Sequence, residues 1–356
     1  MNRWRDYYEP KSDFTAEYLK VLGVEKKEPS RAYLNQLILA HQSKIPISNL
    51  SAVDDEEASS LRLDDIYRKV LVERRGGNGF ELNSIFSSLL EKLGFTTWLS
   101  PCRNLKSTSP YPEPISHCCV IVNLTDDQFQ KTESGSEQKD QQGQKAEMSD
   151  GTFGTSGGSM GVGLDFDFLG TLSLEGDFGH KMYVDVGYPH APAGALEIKA
   201  GEEQKIIIRG EKSQVVIGED EGKEVSEEHA GSDLIEKFQF EDSNRFSSDN
   251  IMDDVEQLGW YTLIHKHPSN PLLDRSVLLV SKIPCFVTDF IGPDQLVTEM
   301  YKGQPDKRKA AIRTGEGYKE LAGDEITIQE SGMTSKIKIM PERFHDMMKL
   351  HFGIEK

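Results

Sequence analysis

The residues best suited to chemistry lie in a glycine turn at positions 74–83. The run Arg-Arg-Gly-Gly-Asn-Gly-Phe-Glu-Leu-Asn places Gly76 and Gly77 directly before an apolar-faced helix. Such a turn presents free backbone N–H groups and the positive end of a helix dipole at residues 78–81. The turn is therefore suited to hold a nucleophile or to bind an anion.

Two further candidates lie far from this turn in the sequence. His117 opens an apolar strand after a proline-rich loop, and Asp185 lies within the apolar run 182–186. A carboxylate in so apolar a strand is costly to bury unless it has a partner. Two interpretations remain open at this point: a hydrogen-bonded pair that stabilises the sheet, or the base and orienting group of a site.

The elements that must position these residues change in type along the chain. Helical spacing and capping residues predict four helices, over about 12–22, 30–45, 64–75 and 79–93, which implies a small helical domain. Short β-rich runs follow at 96–100, 117–124, 181–186, 205–209 and 214–217 and predict a sheet or barrel. The last third mixes strands, at 261–264, 277–280, 310–313 and 325–328, with a final helix over about 341–352.

Composition narrows the class of protein. The 41 Lys and Arg against 59 Asp and Glu give a net charge of −18, of which residues 218–257 supply −11 (3 basic, 14 acidic). This balance disfavours nucleic acid and anionic membranes as partners.

The start of the chain lacks a signal-peptide pattern and no apolar run is long enough to span a membrane, so we expect a cytoplasmic protein. Residues 125–179, rich in Gln, Ser, Gly and Lys, are predicted to be a disordered insertion.

No metal is expected. The four cysteines, at 102, 118, 119 and 285, have no metal-binding spacing and are predicted to be reduced and mostly buried. His265 and His267 lie two residues apart but lack a carboxylate or cysteine cluster, so a loop role is favoured over a metal pair.

The combination of these segments resembles the arylamine N-acetyltransferases, in particular a fungal-type member with insertions. The hallmark of that family is Arg-Gly-Gly-x-Cys-Phe/Leu-Glu/Gln-x-Asn, which Arg75, Gly76, Gly77, Phe80, Glu81 and Asn83 match. Further similar segments, in the family's order, are His41, Ile45, Pro46, Asn49 and Leu50; Gly94 and Phe95; His117; Val184 to Tyr188; and His351 to Ile354.

The resemblance implies an α+β fold with a cysteine-protease-like triad core. Its parts would be an N-terminal helical bundle at 1–95, a central β-barrel at 96–217 that carries the insertion, and a C-terminal α/β lid with an acidic loop at 218–356. It also implies an acetyl-CoA or other acyl-CoA co-substrate and a small-molecule amine acceptor, as in xenobiotic metabolism. His117 and Asp185 would be catalytic, and Arg75, Gly76, Gly77, Phe80 and Asn83 would form the turn or contact substrate.

The sequence departs from the family pattern at two positions near that turn. Gly79 stands where the family has its nucleophilic cysteine, and Ser48 stands where it has a glutamate that can pair with Arg75. Because alternate residues of a strand face opposite ways, Cys118 should point away from the face that His117 uses, whereas Cys119 should share it.

Three hypotheses follow from these departures. The chain is an acyltransferase that uses His117 and Asp185 for direct transfer, a pseudoenzyme that retains a CoA- and amine-binding cleft, or an otherwise active protein in which Gly79 is an introduced or allelic change.

Overall fold

The computed structural model describes residue 7 and residues 14–54, 59–104, 114–130, 179–209, 212–217, 234–242, 259–266 and 275–355. The fold combines a helical lobe with two antiparallel sheets, which confirms the α+β class. Most of the insertion predicted at 125–179 and the acidic loop after residue 217 lie outside the described residues.

In the described part of the first lobe there are five α-helices: α1 (Thr15–Leu22), α2 (Arg31–Lys44), α3 (Leu50–Val53), α4 (Leu63–Tyr67) and α5 (Gly79–Lys92). A π-helical turn, Arg68–Val72, continues α4. Ser30 caps α2 by accepting a hydrogen bond from the Tyr33 N–H, and Gly23 ends α1 in the left-handed conformation. Helix α5 is buried along most of its length, so it forms the centre of the lobe.

A barrel-like sheet of nine strands packs against α5. Its order is β5-β4-β3-β2-β10-β9-β8-β6-β7. The strands are β2 (Thr96–Asn104), β3 (His117–Leu124), β4 (His180–Val184), β5 (Leu196–Glu197), β6 (Glu203–Arg209), β7 (Lys212–Ile217), β8 (Leu234–Asp242), β9 (Trp260–Lys266) and β10 (Arg275–Ser281). One face of β3 packs on α5, and the other packs in a separate apolar cluster with Tyr183 and Phe240.

The second sheet has the order β1-β11-β12-β13-β14. Its strands are β1 (Ile47–Ser48), β11 (Lys309–Thr314), β12 (Gly317–Ala322), β13 (Glu325–Glu330) and β14 (Met333–Lys338). Helix α8 (Phe344–Phe352) covers it through Phe344, Met348 and Phe352. Because β1 comes from the helical lobe and pairs with β11, the two parts of the chain share one sheet.

The structure contains elements that the sequence pattern did not indicate. These are β1, α3, α6 (Asp126–Gln130), β5, β8, β12, β14 and α7 (Ile291–Tyr301). Strand β8 lies within the acidic segment and alternates buried and exposed side chains, so the charge of its outer face concealed it. The nine-stranded sheet uses strands on both sides of residue 217, and the division into three domains remains a prediction. No helix among the described residues is long and apolar enough to span a membrane.

Candidate active site

The fold brings Gly79, His117 and Asp185 together at the start of α5. His117 Nε2 lies 2.7 Å from Asp185 Oδ2. On the other side of the ring, Nδ1 faces the Cα of Gly79. Three residues from separate elements therefore form one cluster, and His117 and Asp185 are 4% and 1% exposed.

Asp185 accepts four hydrogen bonds from other described residues. Besides His117, the donors are Tyr183 Oη at 3.0 Å, Asn83 Nδ2 at 2.9 Å and the Gly187 N–H at 2.9 Å. These donors stabilise a charged carboxylate that burial alone would disfavour. This set explains how the apolar strand accommodates Asp185.

The hydrogen bond to Asp185 sets the roles of the two ring nitrogens of His117. Nε2 donates to the carboxylate, so in the neutral ring Nδ1 holds the lone pair. The ring of Tyr188 lies 5.4 Å from the imidazole, centroid to centroid, and covers it. His117 and Asp185, which we call the dyad, thus have the arrangement of a base and its orienting group.

Position 79 has no room for a side chain in this arrangement. A Cβ built on Gly79 would lie 2.3 Å from His117 Nδ1, 2.6 Å from Cε1 and 2.9 Å from the Gly187 oxygen. A Cβ on Gly187 would in turn lie 2.6 Å from the Gly79 Cα. The imidazole and the backbone of Gly187 therefore occupy the space in which a residue-79 side chain would begin.

The glycine turn is closed by backbone contacts that require its small residues. Gly76 has a φ of 69°, and a Cβ there would lie 2.6 Å from the Pro46 oxygen. The Ser48 N–H donates to the Gly77 oxygen at 2.8 Å, which ties the turn to β1. Asn78 and Glu81 form a capping box at the start of α5, each accepting from the other's backbone N–H. The start of α5 is consequently well fixed.

Arg75 takes part in this support rather than facing His117. Its guanidinium, 6% exposed, donates to Glu73 at 3.3 Å and to Ser51 Oγ at 3.1 Å. Ser48, at the position of the family's glutamate, accepts from the Leu50 N–H instead. Phe80 is buried against Phe290 with ring centroids 5.6 Å apart. Arg75 and Phe80 thus have supporting positions in this structure.

The two adjacent cysteines face opposite sides of β3, as alternation along a strand predicts. Cys118 packs on the α5 side, with its Sγ 4.0 Å from the Gly79 oxygen, whereas Cys119 belongs to the other apolar cluster, together with Cys102, the cross-strand partner of His117. Burial raises the pKa of the Cys118 thiol well above its usual value, which opposes formation of a thiolate.

A relay of side chains that sequence analysis missed holds the backbone at Asp185. Gln42 Nε2 donates to the oxygens of Asp185 and Pro192, both at 2.9 Å. Arg313 on β11 donates to Gln42 Oε1 at 2.9 Å and pairs with Glu236 on β8 at 2.9 Å. Their only sequence signal is polarity within apolar helical or strand patterns.

His41 lies away from the dyad. Both of its ring nitrogens are buried without a hydrogen-bond partner among the described residues, and its ring packs on Phe86 and Tyr18. Burial lowers the pKa of His41 from 6.5 to about 3. It is therefore a neutral core residue.

The described part of the chain contains no group of three or more His, Cys, Asp or Glu that could hold a metal ion. His265 stacks on Phe238 with ring centroids 4.7 Å apart, and His267 lies outside the described residues.

Comparisons with known proteins agree with this architecture. A family model described as N-acetyltransferase matches residues 32–132. An arylamine N-acetyltransferase / N-hydroxyarylamine O-acetyltransferase of Salmonella typhimurium is 33% identical over 118 residues, which are 33% of this chain and 40% of that protein. An arylamine N-acetyltransferase of Escherichia coli is 32% identical over 98 residues, 27% of this chain and 34% of that one. The chain thus matches less than half the length of these curated relatives.

Similarity of fold extends further than similarity of sequence. The arylamine N-acetyltransferase of Mycobacterium abscessus has a TM-score of 0.62 at 14% identity, covering 98% of this chain and 94% of that one. That of Mycobacterium marinum in complex with CoA has a TM-score of 0.61 at 15% identity, covering 96% and 93%. The chain is thus similar to arylamine N-acetyltransferases in its fold and, over residues 32–132, to N-acetyltransferases in its sequence.

Proposed function

We propose that this protein transfers an acyl group from an acyl-CoA directly to an amine, with His117 as the general base and Asp185 as its orienting group. The observation that carries the proposal is the His117–Asp185 hydrogen bond of 2.7 Å at the start of α5. The relationship to acetyltransferases and the CoA complex of the Mycobacterium marinum protein support the choice of donor.

The transfer requires no covalent enzyme intermediate. For Nδ1 to accept a proton, the His117 ring must first move away from Gly79, which it faces. The amine nitrogen then attacks the thioester carbonyl carbon, and its proton passes to Nδ1. The C–S bond then breaks, and the departing CoA thiolate takes that proton, which leaves an amide and free CoA. Backbone N–H groups at the start of a helix are suited to stabilise the oxyanion of such a reaction.

Because position 79 holds a glycine and not a nucleophilic cysteine, we expect the reaction to be slow. Where a catalytic triad has been dissected, loss of the nucleophile costs about six orders of magnitude, and the remaining site still gives about 10³- to 10⁴-fold over water. A protein of this kind would turn over slowly, and its rate would depend on His117.

A second candidate function is binding of acyl-CoA or an amine without transfer, as in a pseudoenzyme. The observation that favours it is the close approach of Gly79 and Gly187, which leaves little space beside Nδ1 for an acceptor.

One pair of measurements separates these functions. The unmodified chain is incubated with acetyl-CoA and aniline, and release of free CoA is followed beside calorimetric binding of acetyl-CoA. Aniline-dependent release that His117→Ala abolishes and His345→Ala, an exposed control on α8, leaves unchanged would support direct transfer. Binding without release would support the second candidate, and the lack of both would contradict the two.

The variant Gly79→Cys tests the donor side independently. Because a Cβ at position 79 would lie 2.3 Å from His117 Nδ1, the imidazole must shift to admit the introduced thiol. After that shift the thiol would lie at the start of α5 beside His117, where a helix dipole and an imidazolium lower a thiol pKa. After incubation with acetyl-CoA, mass spectrometry should show an acetyl adduct that the double variant with His117→Ala lacks. If no acyl donor gives an adduct, the site does not receive acyl-CoA and the proposal fails.

A further inference from the structure

The loop of residues 186–193, between β4 and β5, closes the candidate site. Gly187 packs on the glycine turn, since a Cβ built on it would lie 2.6 Å from the Gly79 Cα. The ring of Tyr188 lies 5.4 Å from the His117 imidazole, centroid to centroid. The position of this loop therefore decides how much space is open beside the imidazole.

Gln42 on α2 ties the two ends of this loop together. Its Nε2 donates to the main-chain oxygens of Asp185, just before the loop, and of Pro192, near its end, both at 2.9 Å. Its Oε1 accepts from Arg313 Nε at 2.9 Å. Because a guanidinium only donates and carbonyl oxygens only accept, these three partners leave the buried amide a single orientation.

A buried ion pair holds the middle of the loop and fixes Gln42. Arg313 Nη1 lies 2.9 Å from Glu236 Oε1, and the two residues are 4% and 6% exposed. Arg313 Nη2 donates to the Ala191 oxygen at 2.8 Å, and Glu236 Oε2 accepts from the Ala193 N–H at 3.3 Å. Since Arg313 lies on β11 and Glu236 on β8, the pair joins both sheets to the loop.

The main chain that Gln42 holds also carries one member of the dyad. Only one methylene group separates the Cα of Asp185 from its carboxylate, so a shift of the main chain there moves the acceptor of the 2.7 Å hydrogen bond from His117. A group that orients a base must be held to within about 0.5 Å. The contacts of Gln42 are placed to impose that limit.

From these contacts we infer that Gln42, oriented by Arg313, is a positioning residue of the dyad, which acts through the main chain at Asp185 and Pro192. Its part in catalysis rests on the proposed function, whereas its effect on the geometry of the dyad can be measured without turnover.

The test is the proton NMR signal of His117 Nε2–H in the full chain. A short hydrogen bond to a carboxylate moves such a proton downfield, and burial of the ring slows its exchange with water. Absence of the signal from His117→Ala assigns it.

Two substitutions of Gln42 remove its donors in different ways. Gln42→Glu keeps the size of the side chain and can still accept from Arg313, but its carboxylate cannot donate to the two main-chain oxygens. Gln42→Met removes the same donors without adding a charge. We expect the His117 signal to move upfield or to be lost in both variants. Gln36→Glu, on the same helix with Oε1 2.9 Å from Lys27 Nζ, is the matched control and should leave the signal in place.

Release of CoA from acetyl-CoA in the presence of aniline gives a second readout. Because small misplacements of reacting groups can cost about 10²-fold in rate, we expect Gln42→Met to slow the proposed transfer by up to about that factor. A signal that responds to both Gln42 variants in a chain that releases no CoA would support the positioning and contradict the proposed function.

Two outcomes would overturn the inference. A His117 signal that both Gln42 variants leave in place would mean that the dyad keeps its geometry without this contact. A shift in Gln42→Glu that Gln42→Met lacks would assign the effect to the added charge. Thermal melts show which variants fold, and if those of Gln42 do not, Arg313→Lys replaces them. It keeps a charge beside Glu236 but lacks the guanidinium fork, so an unchanged signal there would also overturn the inference.

Discussion

The two sides of the glycine turn differ in how their carboxylates are satisfied. On one side, Asp185 receives four hydrogen bonds and is sealed by protein. On the other, Asp294 accepts hydrogen bonds from Asn78 and Ser59 and lies near the carboxylate of Glu81. Both carboxylates are 1% exposed, so burial alone does not distinguish them. The two carboxylates differ in the number of hydrogen bonds that they accept: four at Asp185 and two at Asp294.

The pKa of Asp294 reflects this difference. Burial, with repulsion from Glu81, raises the pKa of Asp294 from 3.8 to about 6, although the hydrogen bonds from Ser59 and Asn78 oppose the rise. The carboxyl of Asp294 therefore titrates near neutral pH.

The largest expected effect is that of Asp185→Ala. The substitution leaves Tyr183, Asn83, His117 and the Gly187 N–H without their shared acceptor, so we expect a loss of about 3–5 kcal/mol in the free energy of unfolding. Urea denaturation measures it, with exposed Asp346→Ala as a control that should change stability by less than about 0.5 kcal/mol. A loss at Asp185 as small as the control's would remove the contrast between the two sides.

Titration of Asp294 should change the free energy of unfolding by about 3 kcal/mol between low and neutral pH. Its raised pKa means that the folded state binds the proton more tightly, so stability conferred by protonation is lost as the pH rises from about 4 to above 6. Asp294→Asn removes this titration, and the stability of the wild type should fall relative to the variant over that window. Urea denaturation of both proteins at pH 4 and pH 7 measures this. If the difference in free energy of unfolding between wild type and variant is the same at the two pH values, Asp294 does not titrate in that range.

Thr298→Val should change stability least. Since its Oγ1 has no partner among the described residues, replacing the hydroxyl by a methyl group should shift the free energy of unfolding by no more than about 0.5 kcal/mol, toward greater stability. A loss above 1 kcal/mol in urea denaturation would reveal a hydrogen bond that this structure lacks.

Much of the first lobe follows from local sequence. Ser30 and the glycines at 23 and 94 mark helix ends, and the apolar spacing of α5 fixes its buried face. These signals depend on neighbours within a few residues, so the sequence alone displays them. The strand β8 and the helix α7 lack such signals because their burial comes from distant partners.

For the site, too, the sequence predicted what local motifs indicate and missed the contacts between distant residues. The motif residues predicted that Gly79, His117 and Asp185 meet, and the structure brings them together. The relay through Gln42 and Arg313 joins residues 271 positions apart, and no local pattern indicates such a contact. Strand alternation, in contrast, is a local rule, and it correctly predicted that Cys118 and Cys119 face opposite sides of β3.

The His117 ring fills the space in which a side chain at position 79 would lie. A double-mutant cycle of Gly79→Ala and His117→Ala, followed by urea denaturation, tests it most directly. At a helix start free of contacts, Gly79→Ala would be neutral or stabilising by up to about 1 kcal/mol.

With His117 present, the 2.3 Å approach should instead make Gly79→Ala destabilising by about 1–3 kcal/mol. In the His117→Ala background most of that cost should disappear, which gives a coupling energy of at least about 1 kcal/mol. Additive effects of the two substitutions would contradict the account, because they would mean that the imidazole and position 79 do not compete for the same space.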